Sequence, residues 1–152
     1  MILTTHALVG AAIGKHIANP WLITFIAIPL HYLLDTFRHG EYLGQQSKTK
    51  EVLGKVMLDI FCGLFIITLY ILFFHPATFV VKTILFGAFI SMFPDFITFL
   101  HWKLHVPHLG KIYAFHQWVH RFTRGSKERI WTLRNGRNDI LFSILAIILL
   151  LI

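Results

Sequence analysis

A single cysteine, Cys62, occurs in the 152 residues, so no intramolecular disulfide can form. It sits inside an apolar run and reads as a packed core residue without a reactive role. Acidic residues number only seven, and charged residues of both signs make up 14% of the chain. A soluble domain carries roughly 25%, and the mean hydropathy of +0.67 excludes an ordinary soluble fold of this size. No Lys or Arg precedes the first apolar run, which contains His6, so residues 2–14 read as mature structure and not as a cleaved leader. The chain has no P-loop, no Gly-rich nucleotide motif and no Ser-His-Asp pattern.

What the chain does have is long apolar segments. It reads as one all-α domain over 1–152: a polytopic membrane helix bundle of four to five spans, with an added cytoplasmic interfacial helix. The spans fall at about 2–17, 21–37, 52–74, 78–101 and 139–152. Asn19-Pro20 separates the first two, which are short and read as a hairpin, and His75-Pro76 ends the third. Gly10 and Gly14 are four apart, as are Ala7 and Ala11, a spacing that lets helices approach closely in lipid. Residues 102–137 form a polar connector in which Leu109, Ile112, Val119 and Phe122 recur at helical spacing beside Trp102, Tyr113 and Trp118, as suits a helix at head-group level.

Back-and-forth threading of these spans sorts the charges. Arg38, Lys48, Lys50, Lys55, Lys103, Lys111, Arg121, Arg124, Lys127, Arg129, Arg134 and Arg137 fall on one side, and only Lys15 and Lys82 on the other. Cytoplasmic loops are enriched in Lys and Arg, which predicts a multi-pass inner-membrane protein with its N-terminus in the cytoplasm. The net charge of +7 is then a feature that attracts anionic lipid head groups. The run from Arg121 to Arg137 reads as a solvated, lipid-facing edge, and no nucleic-acid partner is needed to explain it. The sequence does not fix the oligomeric state.

The same threading gathers ionisable groups into one layer. His6 lies a turn inside span one, His31 and Asp35 near the end of span two, Asp59 two turns into span three, and Asp95 near the end of span four. His116 and His120 lie in the connector, while His16 and His75 fall on the opposite side. Ionisable groups in spans are costly and are retained mainly for function. Residues i and i+4 share a helix face, so His31, Asp35 and, if the helix continues, His39 form a column, and His116 and His120 form a pair. Such His and carboxylate sets suit Zn²⁺, and also Mn²⁺ or Fe²⁺, and can hold two metals. The expected ligands are His6, His31, Asp35, Asp95, His116 and His120, with Asp59 or Asp95 as catalytic base. Asp59 reads equally well as a helix-packing hydrogen bonder or as a partner of Lys55.

The opening Thr-His-Ala-Leu-Val-Gly-Ala-Ala-Ile-Gly, His31-Tyr32-Leu33-Leu34-Asp35 with His39-Gly40 beyond it, Phe93-Pro94-Asp95 and His116-x-x-x-His120-Arg121 carry a resemblance. The chain resembles small bacterial and archaeal membrane-bound proteins described as metal-dependent hydrolases, including the LexA-regulated inner-membrane type. The resemblance implies a metal-dependent hydrolase; the placement of these residues at the cytoplasmic membrane surface, and that alone, points to a lipid or phosphoester substrate. His6 corresponds to that family's N-terminal Thr-His, His31 and Asp35 to its His-x-x-x-Asp, and Asp95 to the first Asp of Pro-Asp-x-Asp. His116 and His120 correspond to its His-rich segment. Ile97 stands where the second Asp would be, and His31-Asp35 precedes Pro94-Asp95 in the chain. Competing readings of the residues are a metal or proton transporter, a bis-His haem protein with His6 and His31 as axial ligands, and a packing or assembly protein whose polar groups only bond helices together.

Overall fold

The computed structural model describes residues 1–42, 48–122 and 126–152. Arg124, one of the expected basic edge residues, lies outside them. The described residues form six helices and no strand: α1 (Leu3–His16), α2 (Pro20–Asp35), α3 (Thr49–Phe74), α4 (Thr78–Leu104), α5 (Gly110–Val119) and α6 (Arg137–Leu151). Two of them, over Lys50–Phe74 and Thr78–Leu104, are long and apolar enough to cross a bilayer, and α2 is a shorter apolar helix.

Local chemistry sets several boundaries. Asn19 caps α2, its Oδ1 accepting from the Trp21 and Leu22 backbone N–H groups, with Pro20 at the first helical position. α3 and α4 end on His75 and His105, both left-handed, with φ of 45° and 53°. His is among the non-glycine residues that tolerate this conformation.

α1 is the hub. It packs against α4, α6, α3 and α2, and buries Ala7, Leu8, Ala11 and Ala12 against Ile67, Ile84, Ala88, Ala146 and Leu150. The glycine face of α1 meets α4. A Cβ on Gly10 would run into the Gly87 carbonyl, and one on Gly14 into the Thr83 carbonyl. The two backbones therefore touch where they cross, and they run antiparallel. α6 runs parallel to α1: Thr5 lies 2.9 Å from Ser143 at one end, and Lys15 donates to the Leu150 carbonyl at 2.7 Å at the other.

The N-terminus of α1 has no capping side chain of its own. Asp59 of α3 accepts from the Leu3 and Thr4 N–H groups at 2.7 and 3.0 Å, and Asp139 of α6 accepts from Ile2 N–H at 3.0 Å. Carboxylates at a helix N-terminus satisfy otherwise orphaned donors and meet the positive end of the helix dipole. Tyr42 O–H also donates to Asp59 at 2.6 Å. Lys55 pairs instead with Glu51 at 2.7 Å.

Three expectations change. Cys62 is exposed, not packed, because α3 turns only a narrow stripe toward α1 and leaves the rest of its circumference outside. α2 ends at Asp35, so His39 is not in a helical column. Within the basic connector Arg129 is buried: it pairs with Glu41, donates to the Phe122 carbonyl at 3.0 Å, and straps the connector to the segment after α2. Burial lowers its pKa to about 10. Arg121, Lys127, Arg134 and Arg137 remain exposed.

Candidate metal centre

The start of α1, the end of α2 and an interior turn of α4 converge beneath α5. The N-terminal part of α1 carries His6, the last turn of α2 carries His31 and Asp35, and α4 carries Asp95 just after Pro94. α5 lies across α2 and α4 and delivers His116. His6, His31, Asp35 and His116 are all buried.

Asp35 is the centre of the group. Its Oδ2 lies 2.9 Å from His116 Nε2, 3.3 Å from His31 Nε2 and 3.7 Å from His120 Nε2. Its Oδ1 lies 3.2 Å from His6 Nε2 and contacts the Met1 amino group. Asp95 stands on the far side, 3.7 Å from His116 Nε2 and 3.9 Å from His6 Nε2. The His6 and His31 rings stack with centroids 4.0 Å apart, and those of His116 and His120 with centroids 5.1 Å apart.

The outer nitrogens orient the inner ones. His31 Nδ1–H donates to the Ser91 carbonyl at 2.7 Å, which turns Nε2 toward Asp35. That Nε2 has no hydrogen-bond partner although it is buried. His116 Nδ1 meets the Thr98 hydroxyl at 2.6 Å. A hydroxyl both donates and accepts, so Thr98 can support either tautomer of His116. His39 Nδ1–H donates to the Phe37 carbonyl at 2.8 Å, and its buried Nε2 is also without a partner. One ring nitrogen tied to a carbonyl or hydroxyl, with the other left free, is how metal-binding histidines are usually held.

Ligand atoms of His31, Asp35, Asp95 and His116 all lie within 4.8 Å of one another. A tetrahedral zinc with bonds of about 2.1 Å separates its ligands by roughly 3.4 Å, and the 2.9, 3.3 and 3.7 Å separations here bracket that spacing. Asp35, His39 and His120 form a second grouping of the same kind. Asp35 belongs to both, an arrangement suited to a carboxylate shared between two cations. The buried Nε2 atoms of His31 and His39 and the Oδ2 of Asp95, which make no hydrogen bond, could serve as cation ligands.

His39 and His120 lie outside the helices, and burial lowers their pKa values to about 2 and about 3, keeping both neutral and able to ligate. The sequence points to His120 through its spacing from His116. α5 ends at Val119, however, and His120 reaches Asp35 from an extended residue. His39 reaches the cluster without the helical column that would have announced it: the turn after α2 returns it beside His120, with ring centroids 5.0 Å apart. Asp59 is not gathered into either grouping; its oxygens are taken up by α1 and Tyr42. Asp139, which received no role from the sequence, has the same kind of anchoring task as Asp59.

Comparison with family models, with curated proteins and with solved structures finds no match.

Proposed function

We propose that this is a membrane protein whose His/Asp cluster holds a divalent cation, zinc first and manganese or iron next, and uses it for hydrolysis. The carrying observation is the grouping of ligand atoms of His31, Asp35, Asp95 and His116 within 4.8 Å of one another, all but Asp95 buried, with His31 Nε2 and Asp95 Oδ2 making no hydrogen bond. When bound, such a cation lowers the pKa of a coordinated water toward about 7 and polarises an ester oxygen. His31, His116 and Asp35 hold the charge, and Ser91 and Thr98 fix the ring orientations. Asp95, whose side chain is 27% exposed, is the carboxylate best placed to take a proton from water that enters. His6 supports Asp35 from the side opposite His116.

The membrane part of the reading rests on the exterior. In a soluble protein, a helix as apolar as α3 would be mostly buried, yet only 17% of its most apolar window is covered. Phe61, Phe65, Leu72 and Phe73 of α3, Phe79 and Phe89 of α4, and Ile144 and Ile148 of α6 all face outward. Exposed apolar surface on this scale marks a lipid or protein partner. Alternating helix directions put the cluster and the basic segments at the same end, which supports a cytoplasmic N-terminus, multi-pass threading and the inner membrane.

Two rivals are less well supported. A transport path needs polar groups through the depth of the bundle, but beyond the cluster the interior is Ala11, Ala12, Ile67, Ile84 and Leu150. A haem between His6 and His31 needs room for a macrocycle, and their rings stack directly.

Metal analysis of the purified protein tests the proposal. Wild type should carry stoichiometric cation after reconstitution, and His31→Ala and Asp95→Ala should each weaken binding by at least about tenfold. Undiminished metal in both variants, or none in wild type, would remove the centre.

A further inference from the structure

Of the four residues in the main grouping, Asp95 alone has appreciable exposure, and it faces a cavity of about 360 Å³ between α3 and α4. That volume lies within the range of small-ligand sites, roughly 300–1,000 Å³. Val56, Met57 and Ile60 of α3 form one wall, and Phe89, Met92 and Phe93 of α4 the other. α3 packs along α1 and makes no extended contact with α4. The space between the two long apolar helices is therefore open sideways, and the outer wall residues Met57 and Phe89 are more than half exposed. The apolar part leads to a polar end made by Tyr42, Glu41 and Asp95. Trp102, of a type that favours head-group level, lines the same cavity.

We infer that this groove takes the aliphatic chain of a bilayer amphiphile and sets its phosphate-bearing head at the Asp95 edge of the cluster. The inference rests on the metal-centre reading for the head group, while the chain-binding half stands on the groove itself. Three features select this occupant. The groove opens where lipid would be, its walls are apolar along the helix axes, and it ends at the one exposed member of a cation site. The end of the molecule that holds the cluster also carries nearly all of its basic residues, which attract an anionic head. Hydrolysis there adds water across a P–O bond. The water oxygen bonds to phosphorus and the bond to the leaving alcohol breaks. One water proton ends on the alcohol oxygen, and the other passes to Asp95 and then to solvent.

The test uses the full-length protein in phosphatidylcholine vesicles containing phosphatidic acid with a photoreactive group at mid-chain. Irradiation should concentrate adducts on the facing walls of α3 and α4. Ile60→Trp and Met92→Trp, which fill the groove, should each lower that labelling by about fivefold or more, whereas Phe61→Trp on the outer face of α3 should not. Metal content, measured on the same samples, reports that the variants remain folded. Turnover divides similarly: for a long-chain nitrophenyl phosphodiester the groove variants should raise KM about tenfold, and by far less for the methyl nitrophenyl phosphodiester, which has no chain to seat. Labelling spread evenly around the apolar belt, or indifferent to both Trp substitutions in metal-loaded protein, overturns the groove. Wild type without metal but with groove labelling intact would sink the metal centre and leave the chain site standing.

Discussion

At the residue scale, the ten histidines divide by task. His75, His105 and His108 occupy positive-φ positions, His16 meets the Leu149 carbonyl at the end of α6, and His101 Nδ1 meets the Val106 carbonyl at 3.3 Å. His6, His31, His39, His116 and His120 surround Asp35. Those on the helices were legible because helical spacing and the order of the apolar segments place them toward one end of the bundle. His39 was not, because its position depends on a turn, and turns carry no periodic signal. The neutral state of His39 and His120 has a pH consequence. In the unfolded chain both protonate near pH 6.5, but in the folded metal-free protein only near pH 2 and 3. Between those limits the unfolded state binds more protons, so stability falls as pH drops below about 6.5. Thermal unfolding of apoprotein in detergent should show this slope, and His39→Gln with His120→Gln should flatten it. An equal slope in the double variant would assign the effect to other groups.

At the element scale, α1 is positioned by contacts that admit little change. Gly10→Ala and Gly87→Ala each push a methyl group into facing backbone and should destabilise by about 1–3 kcal/mol or more. Gly54 lies inside α3 with open space where a side chain would point; Gly54→Ala should stabilise by about 0.5–1 kcal/mol. Denaturation curves for the three variants check both signs together. The spacing of Gly10 and Gly14 announced a close approach from sequence alone. It could not name α4 as the partner, since small residues mark a contact without specifying what fills the other side. Asp59 was the harder case, because a carboxylate two turns inside a span looks the same whether it serves chemistry or a neighbouring helix. Asp59→Ala should cost about 1–2 kcal/mol through the lost cap on α1 yet leave cation stoichiometry unchanged. Loss of metal at preserved stability would return Asp59 to the site.

At the scale of the whole molecule, the exposed apolar belt and the single thiol make a direct topological assay. Cys62 faces outward from the middle of α3. In intact vesicles a charged maleimide should leave it unmodified, while detergent-solubilised protein should label at least about tenfold faster, because thiolate formation needs water. Equal rates in both would place α3 outside the bilayer. The length and hydropathy of α3 and α4 made two helices long and apolar enough to cross a bilayer readable, whereas the course of the connector depended on the Glu41–Arg129 pairing, which no local pattern encodes. The capping of α1 also bears on biosynthesis. Of the six helices, the first to be translated relies on Asp59 and Asp139 for its leading amide groups, and Asp139 lies 137 residues beyond the Ile2 amide that it accepts from. Until Asp139 is translated, the Ile2 amide of the nascent chain lacks its acceptor, so that end of the central element has to stay near water in the meantime.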